Sequence, residues 1–192
     1  MVRTSLIVIL YILVVTGCRT SSPLVHDETV RDQQIQGRQQ EVAVNYADQV
    51  TWVLGYFQIT RLKQEPHGTW FYKGYDSYQP DGNAMASLRK TGTDGITISV
   101  VMGTWCPDSR REVPRFMKVI DGWEFPYDKI TFIGVDDAKL SPVGGYGNLD
   151  IQRVPTFIIY KNNIETGRII ENPVTSLEQD MVKILEGIKN NK

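Results

Sequence analysis

The stretch from residue 96 to residue 120 constrains the fold more than any other part of the chain. Residues 96–102 form a run of mostly β-branched, apolar residues that predicts a buried strand. Pro107 then begins a segment, residues 107–120, whose apolar positions recur at helical spacing. A buried strand that turns at once into an amphipathic helix is typical of an α/β protein, in which helices cover a sheet.

Weaker patterns complete the predicted order of elements. Apolar runs predict strands over residues 130–135, 156–160 and 168–170, and Ser176 with Gln179 forms a candidate capping box before a closing helix. Residues 41–57 have helical spacing, residues 64–82 combine glycine, proline and aromatic residues as turns do, and Asn83 is a candidate cap for a short helix over residues 84–90. The sequence therefore predicts a mixed β-sheet flanked by helices, with an N-terminal helical extension.

Composition and charge limit the class of partner. The chain has 192 residues, of which 41% are hydrophobic and 22% are charged, and these values are ordinary for a globular protein. The formal net charge is −1 and both signs are spread along the chain, so there is no basic patch of the kind that binds nucleic acid. We expect one principal domain and no nucleic-acid partner.

The N-terminus resembles an export signal. Arg3 precedes an apolar run over residues 6–15 that is too short to span a bilayer. Residues 15–18, Val-Thr-Gly-Cys, resemble a bacterial lipobox, in which the signal is cleaved before a cysteine that carries lipid. We therefore expect a signal peptide over residues 1–17, a lipidated Cys18 and a polar flexible tether over residues 18–40. An ordinary cleaved signal with an incidental cysteine is the alternative.

Lipidation of Cys18 would leave Cys106, the other cysteine of the chain, without an intramolecular partner. Cys106 directly precedes the proline at the predicted helix start and so occupies the N-cap position. Free N–H groups of the first helical turn, and the helix dipole, favour a thiolate there. A buried cysteine that acts only as a small apolar side chain is the alternative.

The residues around Cys106 have opposing electrostatic effects. Ser109 is expected to direct a hydroxyl donor toward the sulfur, and Arg110 and Arg111 add positive potential. The carboxylate of Asp108 works against a thiolate, and the sequence leaves open which effect is larger.

At these residues the chain resembles the thioredoxin superfamily. Residues 105–109, Trp-Cys-Pro-Asp-Ser, are similar to the active-site segment in which a tryptophan precedes Cys-x-x-Cys, and Pro114 matches the proline that kinks the active-site helix. Residues 154–156 resemble the cis-proline loop of that family, and residues 157–171 resemble its final hairpin. The resemblance covers about residues 96–185 and implies a thioredoxin-like domain over residues 92–192, preceded by the extension over residues 41–91.

The resemblance also implies roles for individual residues. It implies that Cys106 and Ser109 occupy the catalytic positions. It further implies that an extended client segment is bound by Trp105, Pro107, Asp108, Val154 and Pro155. The chain departs from the family in having Ser109 where the resolving cysteine stands, no acid in residues 99–102, and a glycine-rich run over residues 144–147 where a helix usually lies.

Other candidate sites receive little support. His26 and His67 are isolated, so we expect no metal site and no cofactor. The glycine run is not followed by the Lys-Ser/Thr of a phosphate-binding loop, and Asp136 with Asp137 is typical of a solvated turn.

Three hypotheses of function follow. The first is a monothiol enzyme in which Cys106 exchanges disulfides with client proteins and an external thiol resolves the product, either reshuffling disulfides or removing a small thiol from a protein cysteine. The second is a binding module that retains clients without turnover, and the third is a scaffold with an inert thiol. All three place the protein in the bacterial cell envelope, anchored to a membrane and facing the periplasm or the exterior.

Overall fold

The computed structural model describes residues 45–190, with side chains as far as residue 187. The signal peptide, Cys18 and the tether predicted over residues 1–40 lie outside the described residues. Five strands form one sheet in the order β1-β3-β2-β4-β5. Their bounds are β1 (Gly55–Phe57), β2 (Ile96–Met102), β3 (Ile130–Gly134), β4 (Thr156–Lys161) and β5 (Ile164–Ile170).

The sheet is mixed because its connections differ in length. β2 and β3 are parallel and are joined through a long helix, as a parallel pair requires. β4 and β5 form an antiparallel hairpin, and β2 pairs antiparallel with β4 while β1 pairs antiparallel with β3. β2 therefore lies at the centre of the sheet, and its last three side chains are fully buried.

Four α-helices cover the sheet: α1 (Gly68–Ser77), α2 (Gly82–Thr91), α3 (Pro107–Trp123) and α4 (Leu177–Asn190). Their apolar side chains enter one core, in which Phe71 and Leu88 meet Phe116 and Phe157. The segments on either side of residue 91, where the sequence analysis divides the extension from the domain, thus share one core. No helix in the described part of the chain is long and apolar enough to cross a membrane.

The strongest sequence patterns are confirmed. β2 has the predicted bounds, α3 begins at Pro107 and continues three residues past the predicted end, and strands occupy the three predicted apolar runs. The closing helix also forms, and the backbone N–H of Gln179 donates to the hydroxyl of Ser176 at its start. These elements carry their own local signals, namely a β-branched run or a regular apolar spacing.

The helix predicted over residues 41–57 is wrong for the part that the structure describes. A 3₁₀ turn spans Gln49–Thr51, and Gly55–Phe57 is the edge strand β1. The spacing is misleading because Val50 and Leu54 are largely exposed, whereas Gly55 has a φ of 76°, outside the helical range. The pairing of this segment with β3 decides its conformation.

The turns predicted over residues 64–82 are also wrong in part, because Gly68–Ser77 is the helix α1. Its glycines lower its intrinsic propensity, but Phe71 is buried and Gly74 allows close packing against Pro114 of α3. The cap of α2 is Asp81, whose carboxylate accepts a hydrogen bond from the N–H of Ala84, and not the predicted Asn83.

Candidate functional site

Cys106 lies where the central strand passes into α3. β2 ends at Met102, three residues form a tight turn, and the N–H of Cys106 donates to the carbonyl of Gly103 at 3.0 Å. Cys106 has an extended backbone conformation, its carbonyl accepts from Arg110 N–H at 3.1 Å, and Pro107 occupies the first helical position. The predicted N-cap position of Cys106 is therefore confirmed.

The sulfur of Cys106 does not make the predicted contacts with the helix N–H groups. Its side chain forms no capping hydrogen bond. Instead the thiol donates to the carbonyl of Val154, with 3.3 Å between sulfur and oxygen, and the Val154–Pro155 peptide bond is cis. Val154 and Pro155 are buried and Trp105 is half-buried.

A loop covers the sulfur. Only 6% of Cys106 is exposed, although a strand-to-helix corner usually lies at the surface. Its apolar cluster has two groups of members: the buried Val101, Ile133, Val135 and Val154, and the partly buried Trp105, Val143, Tyr146, Leu149 and Ile151. Most of the second group belongs to the connection between β3 and β4, where the glycine run leads into a 3₁₀ turn at Tyr146–Leu149.

Two side chains hold this loop in place. The hydroxyl of Tyr146 donates to the carbonyl of Lys139 at 2.7 Å, and the guanidinium of Arg168 donates to the carbonyl of Leu149 at 2.9 Å. Arg168 is itself fixed by the carboxylate of Glu165, and this contact raises the pKa of the guanidinium. Arg168 was missed by the sequence analysis, because no local signal connects a residue of β5 with a loop that precedes β4.

Ser109 does not direct its hydroxyl at the sulfur, and this expectation is wrong. Ser109 is fully buried, and its hydroxyl accepts a hydrogen bond from the N–H of Gly103 at 3.3 Å. The side chain therefore ties the first turn of α3 to the end of the preceding turn. Its role in the described structure is to satisfy a buried backbone donor.

The charges at the start of α3 largely compensate one another. Arg111 contacts the carboxylate of Asp108 at 2.7 Å and that of Glu112 at 2.6 Å. The hydrogen bond with Glu112 raises the pKa of Arg111. Glu112 is buried and also contacts Arg115 at 3.0 Å. The positive charge of Arg111 is therefore paired with two neighbouring carboxylates, and the negative charge of Asp108 is paired with Arg111.

Arg110 holds the turn that carries Cys106. One of its nitrogens, Nη1, donates to the carbonyls of Thr104 and Trp105 at 3.2 and 3.1 Å. Its guanidinium carbon lies 4.5 Å from the centre of the Tyr46 ring. Arg110 was expected to supply positive potential, and it also fixes the two residues directly before the cysteine.

The segment that precedes β1 is bound to the same turn. The buried hydroxyl of Thr104 accepts from the N–H of Val53 at 3.2 Å and donates to the carbonyl of Thr51 at 3.3 Å. The indole of Trp105 donates to the carbonyl of Val135 at 3.1 Å and lies beside the ring of Trp52. The sequence contains no local signal for these contacts, because the hydrogen bonds join residues 30 to 53 positions apart.

His67 is a fully buried histidine next to this region. Neither ring nitrogen has a hydrogen-bond partner in the part of the chain that the structure describes, and the ring lies against Tyr46 and Trp70. Burial is the main cause that lowers the pKa of His67, and the charges of Arg61 and Arg110 act in the same direction. Within residues 45–190, no three His, Cys, Asp or Glu side chains are placed to hold a metal ion.

Comparisons with known proteins give little guidance. No protein-family model matches the chain, and no curated protein matches it. Among solved structures, the chain is similar to a 1.5 Å crystal structure of a protein of unknown function from Pseudomonas aeruginosa, with 14% identity and a TM-score of 0.45. That similarity covers 63% of this chain and 82% of the other.

Proposed function

We propose that this protein performs thiol–disulfide exchange through the single thiol of Cys106. The observation that carries the proposal is the position of this thiol, at the N-cap of α3 and 3.3 Å from the carbonyl of Val154. The N-terminus of a helix can stabilise a thiolate, and the edge of a neighbouring loop can align a client chain beside it.

We further propose that the α/β fold is thioredoxin-like. The strand order, the parallel pair formed by β2 and β3, and the β4–β5 hairpin support this assignment. The fold would bring Trp105, Cys106 and Val154 together, and these residues do lie in one apolar cluster. Pro107 is exposed at the first helical position and is available to a client.

The first chemical step needs a small movement of the sulfur. The thiol must lose its proton and turn from the carbonyl of Val154 toward the N–H groups at the start of α3, which can accept a negative charge. The thiolate then attacks one sulfur of a client disulfide. The client S–S bond breaks, the other client sulfur leaves with the electron pair and takes a proton, and a mixed disulfide joins Cys106 to the client.

Release requires a second thiol from outside the protein. Cys106 is the free cysteine in residues 45–190, and Ser109 cannot attack a mixed disulfide. An external thiolate attacks the Cys106 sulfur, and the client departs as a free thiol. A second external thiol then restores Cys106 and leaves as a symmetrical disulfide, so two external thiols are oxidised for each client disulfide reduced.

We expect turnover to depend on both Cys106 and an added small thiol. Reduction of a fluorescent peptide disulfide with L-cysteine present should fall by about 100-fold or more in Cys106→Ser, since the nucleophile is lost. When a dithiol protein is the reductant and no small thiol is added, the wild-type protein should be as slow as Cys106→Ser. Cys18→Ser, which removes the other cysteine of the chain, should retain the activity.

Two outcomes would contradict the proposal. Efficient turnover by wild-type protein without any small thiol would contradict the monothiol mechanism. The burial of Cys106 also permits an inert scaffold. That alternative would be favoured if Cys106 in the native protein reacted with iodoacetamide no faster than a thiol fully buried in the core of a reference protein. Covalent capture of clients without turnover would favour the binding module.

We also propose that the protein is a membrane-anchored lipoprotein of the bacterial envelope. The support is the short apolar run over residues 6–15, which is followed by Thr16, Gly17 and Cys18. Cys18→Ala should move the protein from the membrane fraction to the soluble fraction of disrupted cells. Equal partition of the wild-type and variant proteins into the soluble fraction would refute the anchor.

A further inference from the structure

A cavity of about 440 Å³ lies beside the turn that carries Cys106, and we call it the Trp105 pocket. Its walls include Tyr46, Trp52, Trp105, Arg110 and Asp137. The volume is in the range of small-molecule sites, about 300–1,000 Å³. Trp105 directly precedes Cys106 in the chain and packs in the same apolar cluster, whereas Cys106 itself does not line the pocket.

The N-terminal segment builds the far wall of the pocket and is held rigidly. The indole of Trp52 donates to the carbonyl of Tyr46 at 3.1 Å, and the Tyr46 hydroxyl donates to the carbonyl of Pro66 at 2.8 Å. The hydroxyl of Thr104 fixes residues Thr51 and Val53 on the same segment. This segment therefore presents a preformed aromatic wall toward Trp105.

The polar tips of the three aromatic walls are already bonded inside the protein. Trp52, Trp105 and Tyr46 each donate to a backbone carbonyl, so their ring faces are what they offer a ligand. Burial raises the pKa of Tyr46 further above physiological pH, at which a phenol is already neutral. Ring faces of this kind attract apolar groups, sulfur and cations.

The two charged residues of the pocket have opposite signs. Nη1 of Arg110 donates to two carbonyls, whereas its Nε and Nη2 have no hydrogen-bond partner among residues 45–190. The carboxylate of Asp137 is exposed and forms no hydrogen bond within the same residues. A guanidinium can bind a ligand carboxylate, and a carboxylate next to aromatic faces can bind a ligand ammonium.

We infer that the Trp105 pocket binds a small zwitterionic thiol of the α-amino-acid type, which serves as the external thiol of the exchange. Arg110 binds its carboxylate, Asp137 binds its ammonium group, and the aromatic faces contact its sulfur-bearing side chain. This inference rests on the proposed function for the role of the ligand, but the binding itself does not require Cys106. It also assigns a task to the N-terminal segment, which supplies Tyr46 and Trp52.

The test uses the full-length chain with the substitution Cys106→Ala, so that binding is measured without exchange. Three probes of similar size differ in the charges they carry: S-methyl-L-cysteine has both charges, its methyl ester lacks the carboxylate, and N-acetyl-S-methyl-L-cysteine lacks the ammonium group. Binding is followed through the indole N–H resonances of Trp52 and Trp105. We expect the zwitterion to bind about two- to fivefold more tightly than either singly charged probe, the range of an exposed ion pair.

Two variants test which residue binds the ammonium group of the ligand and which binds its carboxylate. Asp137→Asn should abolish the preference for S-methyl-L-cysteine over the N-acetyl probe, and Arg110→Gln should abolish its preference over the methyl ester. Arg153→Gln is the matched control, because Arg153 forms an exposed ion pair with Glu171 and does not line the pocket. It should bind all three probes as the parent protein does.

The results separate the pocket from the proposed function. Equal affinity for all three probes, or no change in the Trp52 and Trp105 resonances at tens of millimolar probe, would overturn the inference. If the zwitterion binds selectively while wild-type protein shows no turnover with L-cysteine, the binding site stands and the exchange mechanism fails. If turnover occurs without selective binding, the exchange mechanism stands and the pocket has no part in it.

Discussion

Gly134→Ala is expected to lower the free energy of unfolding by about 3 kcal/mol or more, at the upper end of the cost of overpacking. Gly134 ends β3, and a β-carbon there would lie 1.9 Å from the carbonyl oxygen of Val53 and 2.6 Å from its carbonyl carbon. Both are backbone atoms, so no change of side-chain rotamer can relieve the overlap. The strand or the segment before β1 must move.

The measurement is the urea concentration at the midpoint of unfolding. The midpoints are compared where the free energy of unfolding depends equally steeply on urea concentration in both variants. Gly144→Ala is the matched control, because a β-carbon at Gly144 meets no other atom within 4 Å. We expect it to change the free energy of unfolding by no more than about 0.5 kcal/mol. Similar midpoints for the two variants would show that the close approach of Gly134 to Val53 does not exist in solution.

Movement of Val53 should also reach the functional site. The N–H of Val53 donates to the hydroxyl of Thr104, two residues before Cys106. Gly134→Ala protein that remains folded at low temperature should therefore expose Cys106 to iodoacetamide more readily than Gly144→Ala protein does. We therefore expect the stability of the sheet edge and the accessibility of the thiol to change together, through the hydrogen bonds of Thr104 with Val53 and Thr51.

Ser109→Cys is expected to convert the single-thiol site into a dithiol site. Cys106 is the N-cap of α3 and Ser109 lies three residues further, in its first turn, so the two side chains are neighbours that a disulfide can join after a small adjustment of the turn. The substitution costs one hydrogen bond, that between Gly103 N–H and the serine hydroxyl. Mild oxidation should then join the two sulfurs, and the new thiol should release clients held as mixed disulfides.

Mass spectrometry of the oxidised protein, with free thiols counted before and after unfolding, decides this prediction. The double variant Cys106→Ala/Ser109→Cys retains one thiol at the site and should keep it free under the same conditions. Ser109→Ala separates the loss of the buried hydroxyl from the gain of a sulfur. If both cysteines of Ser109→Cys stay free while a model dithiol is oxidised, the geometry assigned to the start of α3 is incorrect.

The sequence by itself determined the elements whose signals are local. The β-branched residues 96–102 specify β2, and the proline after Cys106 specifies the start of α3, because each preference acts within a few residues. The α/β class and the N-cap position of Cys106 follow from these two signals alone. The same reasoning located the apolar runs that became β3 and β4.

Only the tertiary structure decided the elements and contacts that depend on distant partners. Residues 55–57 form a strand because the edge of β3 is available to pair with them, although their spacing is helical. The Cys106 thiol donates to a carbonyl 48 residues away, and the Ser109 hydroxyl accepts from Gly103 N–H, the one partner it has in the described structure. The Trp105 pocket likewise needs residues 46 and 137 brought together. Such contacts form only when the whole chain packs, because burial and hydrogen bonding between distant segments outweigh weak local preferences.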